Sequence, residues 1–265
     1  QTCALPIWDF VRKGIEPSPI MMPVQQGRIY SFGNLNRDTF NGLPGMLADS
    51  LPDTYGRALF DQWLTLTGRI SGNPVETLCF LGQRCMGALE FEPATGPATD
   101  ENMKFEIDSL VDVAREALSK KEGFGMNLDT DRKAAIAEIL RLGTSAGGQR
   151  AKAIIAYNKQ TGEVRSGQIS APKGFDYYLI KLDGVSAEVG FKETENYGRL
   201  EYSFSELVKR CGIEMTDCSL IEENSRAHFL TKRFDRENGR KIHMQTLCGM
   251  AHYDFKLKRG YSYEQ

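Results

Sequence analysis

The sequence predicts an α+β protein in three parts. These are a β-rich N-terminal subdomain, a helical connector, and a mostly antiparallel sheet with one inserted helix. Three observations carry the prediction. Short apolar runs punctuated by Gly and Pro fill residues 1–97, two amphipathic 3.6-period stretches fill 98–142, and strand-like runs around a single amphipathic helix fill 143–265. At 265 residues, the chain is long enough for one large or two small domains.

The elements follow in order. Residues 20–33 read as short strands turning at Gln26-Gly27. Asp53 or Thr54 can cap a helix whose Leu59, Phe60, Trp63 and Leu64 share a core-facing side, and Gly68 suits its end. Residues 75–92 read as a short helix, a turn around Gly82 to Gly87, and a strand over Ala88 to Phe91. The stretch 92–102, with Pro93, Gly96 and Pro97, is the natural linker. In the connector, Ile107, Leu110, Val111, Ala114 and Leu118 share one helical face, and a second helix runs over 131–142. Beyond a glycine loop, strands are expected over 151–158, 164–169, 177–182 and 227–234. A helix over 196–211 places Leu200, Phe204, Leu207 and Val208 on one face, with Gly212 at its end. Residues 236–240 make a hairpin turn, Ile242 to Thr246 form its second strand, and a helix begins at Leu247.

Composition excludes several classes. Thirty-three basic residues against 35 acidic ones give a net charge of −2, which argues against a protein held on DNA by bulk positive charge. No apolar run approaches the ~18 residues of a membrane span. Six cysteines without a CxxC pair, and only three histidines, argue against structural zinc and for reduced thiols, hence a cytoplasmic protein. His243, His252, Cys211 and Cys248 read as structural residues. The opening QTCALPI has neither an initiator Met nor a secretory pattern; it resembles a translated adaptor sequence and is expected to lie outside the fold.

Three segments could carry chemistry. The first is GTSAGGQRAKA (143–153). Its glycines let backbone amides approach phosphate oxygens, and Ser145, Arg150 and Lys152 add donors. It lacks the Gly-Lys-Ser/Thr of a Walker A loop and the preceding strand of a dinucleotide fingerprint, so an ordinary helix-to-strand loop is the competing reading. The second is Lys181 in FDYYLIKLDG. On a central strand it would need an anionic partner, and Glu201 on the helix some 20 residues later suits that role. Alternatively, Lys181 ends a strand and points to solvent. The third is HFLTKRFDRENGRKIHMQ (228–245), where a strand reaching Lys232, Arg233 and Phe234 can offer backbone groups to an adenine edge, or is a surface hairpin with solvated charges. The order strand–loop–strand–Lys–helix–Glu–strand is that of a protein-kinase N-lobe.

Four strings in this order resemble the HipA-type serine/threonine kinases of bacterial toxin–antitoxin systems: SFGNLNRDTFNGLPGMLADSLPDTYGRALFDQWL, LGQRCMGALEFEP, GTSAGGQRAKA and KRFDRENGRKIHMQTLC. The resemblance covers the chain from about residue 15. It implies a kinase-like N-lobe over 143–265 with the start of a helical C-lobe, using ATP and Mg²⁺. By position, Ser145 matches a serine open to autophosphorylation, and Gly147, Gly148, Gln149, Arg150 and Lys152 match the loop over the ATP phosphates. Lys181 matches the ATP-contacting lysine, Glu201 its ion-pair partner, and Lys232, Arg233 and Phe234 the hinge beside adenine. Ala151 stands where the family often has proline. The family's catalytic segment, N-x-D-D-H-x-K-N, and its later metal-binding Asp do not occur in the 265 residues. The expectation is therefore an N-terminal piece of such a kinase, with incomplete N-terminal and C-terminal parts and no phosphoryl transfer of its own. The resemblance further implies a helix-turn-helix, HipB-like antitoxin partner, DNA contact only through that partner, and a protein substrate no motif identifies. A non-catalytic nucleotide- or antitoxin-binding module is the alternative from another class, and a regulator binding DNA directly is a third.

Overall fold

A computed structural model describes residues 3–4, 12–98, 104–118, 137, 139–140, 142, 150–186, 196–258 and 260–262. The chain is α+β, and its centre is a six-stranded antiparallel sheet in the order β3-β5-β4-β6-β8-β7. The strands are β3 (Lys104–Phe105), β4 (Arg150–Tyr157), β5 (Val164–Ser166), β6 (Asp176–Ser186), β7 (Cys218–Glu223) and β8 (Arg226–Lys232). Strand β4 is buried along six consecutive residues, Ala151 to Ala156. Such a run has to lie inside the sheet, covered on both sides.

Period-two alternation gives β6 two faces. Tyr178, Ile180 and Leu182 join the main buried cluster with Leu110, Val111 and Ala114 of helix α5 (Ile107–Leu118) and Leu59, Phe60 and Leu64 of helix α3 (Thr54–Leu66). Ile107, Leu110, Val111 and Ala114 of the face expected on α5, and Leu59, Phe60 and Leu64 of that expected on α3, are buried, while the Leu118 side chain lies outside the described residues. Trp63 is only partly buried, at the edge of that cluster. Lys181 and Asp183, offset by one residue, turn toward helix α6 (Tyr197–Arg210) on the other face.

The N-terminal part departs from expectation. Its regular structure among the described residues is mainly helical: α1 (Arg37–Phe40), α2 (Gly45–Ala48), α3 and α4 (Pro74–Leu81). Strand structure there is limited to β1 (Cys3–Ala4) paired with β2 (Tyr30–Ser31), so residues expected outside the fold take part in a ladder. Helix α4 is set by a capping box, in which Asn73 accepts from the Glu76 amide at 3.0 Å and Glu76 from that of Asn73 at 2.9 Å. Ala88 to Phe91 do not form a strand. Their neighbourhood is committed instead to polar ties with the hairpin after Asp235, where Gly87 donates to Asp235 at 2.7 Å and Arg236 donates to the Gly87 carbonyl at 2.9 Å. That hairpin pairs β9 (Arg236–Glu237) with β10 (Arg240–Lys241), not with Ile242 to Thr246. The latter residues run to helix α7 (Leu247–Ala251), whose cap Thr246 is held by Asp49. Of the second connector helix, only Ala137, Ile139, Leu140 and Leu142 are described, and the last three are buried.

The two ends of the chain are stitched together. Asp254 accepts from Asn36 at 2.6 Å and from the Thr39 hydroxyl, and His252 Nε2 accepts from the Gly45 amide at 3.0 Å. A Cβ on Gly45 would lie 2.1 Å from the Gly249 carbonyl oxygen, so the GLPG glycine is required by the close approach of α2 to α7.

On α6 the shared apolar face points outward: Leu200, Phe204 and Leu207 are 48%, 57% and 53% exposed, whereas Gly198 and Ser205 are buried. A Cβ on Gly198 would fall 1.7 Å from the Ala227 carbonyl oxygen. The helix lies directly on the β8 backbone, and only its small-residue side fits that approach.

Candidate functional site

The site is built where β4, β6 and α6 meet. Helix α6 begins at Asn196 in a left-handed conformation, without a side-chain cap of its own. Its first two amides are satisfied from the sheet: the buried Asp183 carboxylate accepts from Asn196 N at 3.0 Å and Tyr197 N at 3.2 Å, and also from Ala227 N of β8 at 3.3 Å. A carboxylate at a helix N-terminus also meets the positive end of the helix dipole. Arg150, at the start of β4, stacks its guanidinium on the Tyr197 ring, 3.1 Å from the centroid. With Gly198 against β8, these contacts fix the helix in translation and rotation.

Fixed this way, α6 presents Glu201 to β6, where its carboxylate forms an ion pair with the Lys181 ammonium. Both side chains keep about a third or less of their surface exposed, Lys181 32% and Glu201 27%. The ammonium also lies 5.8 Å from the Phe229 ring centre. Directly across the ladder, Lys152 pairs with Lys181 in register, so the two lysines share a face. The Lys152 side chain is 1% exposed, its Nζ 3.9 Å from Asp53 Oδ1 and 5.5 Å from the Tyr55 ring centre. Burial pulls its pKa down to about 8, with Lys181 adding to the fall and Asp53 and Glu201 opposing it.

The remaining expected residues fall into two groups. Ser145, Gly147, Gly148 and Gln149 lie outside the described residues. Lys232, Arg233 and Phe234 lie at and just beyond the end of β8, with their side chains committed differently. Lys232 pairs with Asp176 at 2.9 Å, and Phe234 is 65% exposed. Arg233 is buried, with its guanidinium forked onto Asp235 at 2.8 and 2.6 Å and its amide donating to the Tyr177 carbonyl at 2.8 Å. Burial works against the Asp235 charge, but the Arg233 hydrogen bonds outweigh it and hold the carboxyl below the usual range. The Lys232 amide is also used within the fold, donating to the Asp217 carbonyl at 2.8 Å, so what stands exposed here is the Phe234 ring. A separate cleft of 330 Å³, lined by Phe32, Gly33, Leu35, Arg37, Gly42, Leu43 and Pro44, shares no residue with the lysine pair.

Sequence reasoning missed two members of this constellation as site residues. Asp183 was legible, because it follows Lys181 by two positions on a strand and must share its face. Asp53 was considered only as a helix cap, and it makes no capping hydrogen bond.

The comparisons agree with this architecture. The model of the HipA N-terminal domain matches residues 7–92, and that of the HipA-like C-terminal domain matches residues 144–265. The chain belongs to the HipA family. Among solved structures it is similar to the complex of HipA, HipB and operator DNA from the toxin–antitoxin system of Shewanella oneidensis MR-1. The identity is 12% and the TM-score 0.50, over 92% of this chain and 51% of that one. The HipA-family chain thus spans about half the length of that relative, and at this identity the likeness speaks to the fold. No curated protein matches it. No helix among the described residues is long and apolar enough to cross a membrane.

Proposed function

We propose that this HipA-family chain carries the ATP-binding part of a cytoplasmic protein serine/threonine kinase, the toxin of a type II toxin–antitoxin system. The observation that supports it is the Lys181–Glu201 ion pair bridging β6 and α6. A lysine on a sheet strand, held by a helix glutamate and flanked by a second lysine, directs cationic donors to one place. Phosphate oxygens are the ligand such a cluster suits. Glu201 orients the Lys181 ammonium, Asp183 holds the helix that carries Glu201, and the backbone beyond β8 offers an edge for adenine near Lys232, Arg233 and Phe234. Gly147 to Lys152 are assigned to the triphosphate and Ser145 to autophosphorylation. The domain limits follow the same reading, with 1–97, 98–142 and 143–265 as N-terminal subdomain, connector and kinase-like lobe. Mg²⁺ would neutralise charge on the phosphates. Among the described residues, no group of three His, Cys, Asp or Glu side chains is arranged to hold a metal, so no step is assigned to it here. By analogy with the HipA–HipB–DNA assembly, the partner is a helix-turn-helix antitoxin, and DNA is reached through it.

The test is ATP binding by the 265-residue chain, with Lys181→Met and Glu201→Gln alongside. A charged hydrogen bond contributes about 1.5–3 kcal/mol. Loss of Lys181 should therefore weaken binding roughly 10- to 100-fold, and loss of Glu201 less. With the family's catalytic segment absent from these residues, ATP and Mg²⁺ should give no phosphate incorporation. Equal binding by the native and Lys181→Met chains would refute the assignment.

A further inference from the structure

The buried Lys152 raises a question that the Lys181–Glu201 pair does not answer. A lysine ammonium 1% exposed needs a counter-charge, and Asp53 Oδ1 lies 3.9 Å away. Asp53 belongs to the N-terminal part of the chain, at the start of α3, and occupies the cap position without a capping hydrogen bond. Its Oδ1 is buried and accepts no hydrogen bond. An aspartate at a helix start ordinarily accepts from the N2 or N3 amide. Here burial raises the Asp53 pKa, the Lys152 charge opposes that first and the Tyr55 amide after it, and the buried Oδ1 lies beside β4.

The groups around Lys152 come from three elements. They are Asp53 and the ring of Tyr55 on α3, Lys181 on β6 and Glu201 on α6. Lys181 has Glu201, and Lys152 has Asp53: each lysine of the cross-strand pair is matched by one acid, and the two acids come from opposite parts of the chain.

We propose that Asp53 is a positioning residue of the nucleotide site: its carboxylate, delivered by the N-terminal part, keeps Lys152 charged and aimed as a second contact for the nucleotide's phosphates. The proposal rests on the nucleotide-binding reading. It makes affinity depend on the N-terminal part although that part supplies no group to the ligand. It also gives binding an alkaline limit set by Lys152, the point at which a buried lysine loses its proton.

The experiment uses the whole 265-residue chain as native protein, Asp53→Asn, Asp53→Glu and Lys152→Met. Asn caps helices as well as Asp does, so Asp53→Asn removes the charge and spares the helix start. Lys152 is titrated without ligand by NMR of ¹³Cε-labelled lysine, its resonance identified by its loss in Lys152→Met. ATP affinity is then measured from pH 6 to pH 9. In the native chain the Lys152 midpoint should fall near 8, as should the alkaline loss of affinity. In Asp53→Asn both should move about one pH unit lower, which is roughly fivefold weaker binding at pH 8 and little difference at pH 6. Asp53→Glu should restore part of the shift. In Lys152→Met the alkaline limb should vanish. An unmoved Lys152 midpoint in Asp53→Asn overturns the hold by Asp53. A moved midpoint with an unchanged affinity profile overturns the role toward phosphate. A native chain that binds no ATP at any pH, with the midpoint still moving, rejects the nucleotide reading while leaving the Asp53–Lys152 coupling in place. Persistence of the alkaline limb in Lys152→Met assigns it to another group and overturns the proposal.

Discussion

Gly198→Ala separates tertiary fit from helix propensity more cleanly than any other single substitution in this chain. In an isolated helix, alanine is better than glycine by about 1 kcal/mol. At position 198 the added methyl would sit 1.7 Å from the Ala227 carbonyl oxygen, 2.9 Å from its carbon and 3.1 Å from the Phe229 amide nitrogen. Ordinary contact begins near 3.4 Å, so α6 must move outward by more than an ångström or tilt about its N-terminus. All three obstructing atoms are backbone in a central part of the sheet and cannot swing aside. Overpacking costs about 1–3 kcal/mol, so the net effect is a loss of up to about 2 kcal/mol despite the better propensity. The displacement also acts on the site, because the same helix carries Glu201 and is tied to Asp183 by its first amides. Urea denaturation of native and Gly198→Ala chains, followed by tryptophan fluorescence and helical CD, reads the first effect. ATP titration reads the second, with affinity expected to fall several-fold. A Gly198→Ala chain as stable as native or more so, with unchanged ATP affinity, would show that α6 does not bear on β8 as described.

Two further outcomes follow from buried charge. Asp235→Ala leaves the guanidinium of Arg233 buried without its forked partner, deprives Arg236 of a carboxylate and removes the acceptor of Gly87; loss of a buried partner costs about 3–5 kcal/mol, and a change below about 1 kcal/mol in urea would contradict the network. His228 is fully buried, accepts from the Asp183 amide through Nδ1 at 2.9 Å, and lies 3.1 Å from Glu223 through Nε2. Burial lowers its pKa from 6.5 to about 4. The unfolded chain therefore takes up this proton before the folded chain does, so the contribution of His228 is complete above about pH 6.5. It should be lost as pH falls toward 4, by at most about 3 kcal/mol. His228→Gln should flatten that slope in a pH series of urea midpoints, and an unchanged slope would assign it to other groups.

Much of this arrangement was legible in the sequence, for identifiable reasons. Lys181 and Glu201 could be paired because strand and helix periodicities each place one residue without knowledge of the other, and a buried lysine demands an acid. The sheet was legible because β4 carries the apolar run Ala153 to Tyr157 and the turn around Gly162 separates it from β5. The orientation of α6 was not. Leu200, Phe204 and Leu207 form a regular apolar stripe, and hydrophobic periodicity alone assigns that stripe to the core. Packing was decided by Gly198 and Ser205, whose smallness counts only once the β8 backbone is beside them. The N-terminal part read as β-rich because short apolar runs broken by Gly and Pro fit strands and short capped helices equally well. Asp53 escaped notice as a site residue because its partner, Lys152, lies in a different part of the chain, and local rules offered a cap as sufficient employment. For Ser145 and the glycines before Arg150, the sequence remains the source of the assignment.

ATP titration of the native, Lys181→Met and Glu201→Gln chains at pH 7, with fold checked by CD, tests the central claim most directly. The account predicts saturable binding by the native chain, a roughly 10- to 100-fold loss in Lys181→Met and a smaller loss in Glu201→Gln. Binding that is absent in the native chain, or indifferent to both substitutions in folded protein, would contradict it.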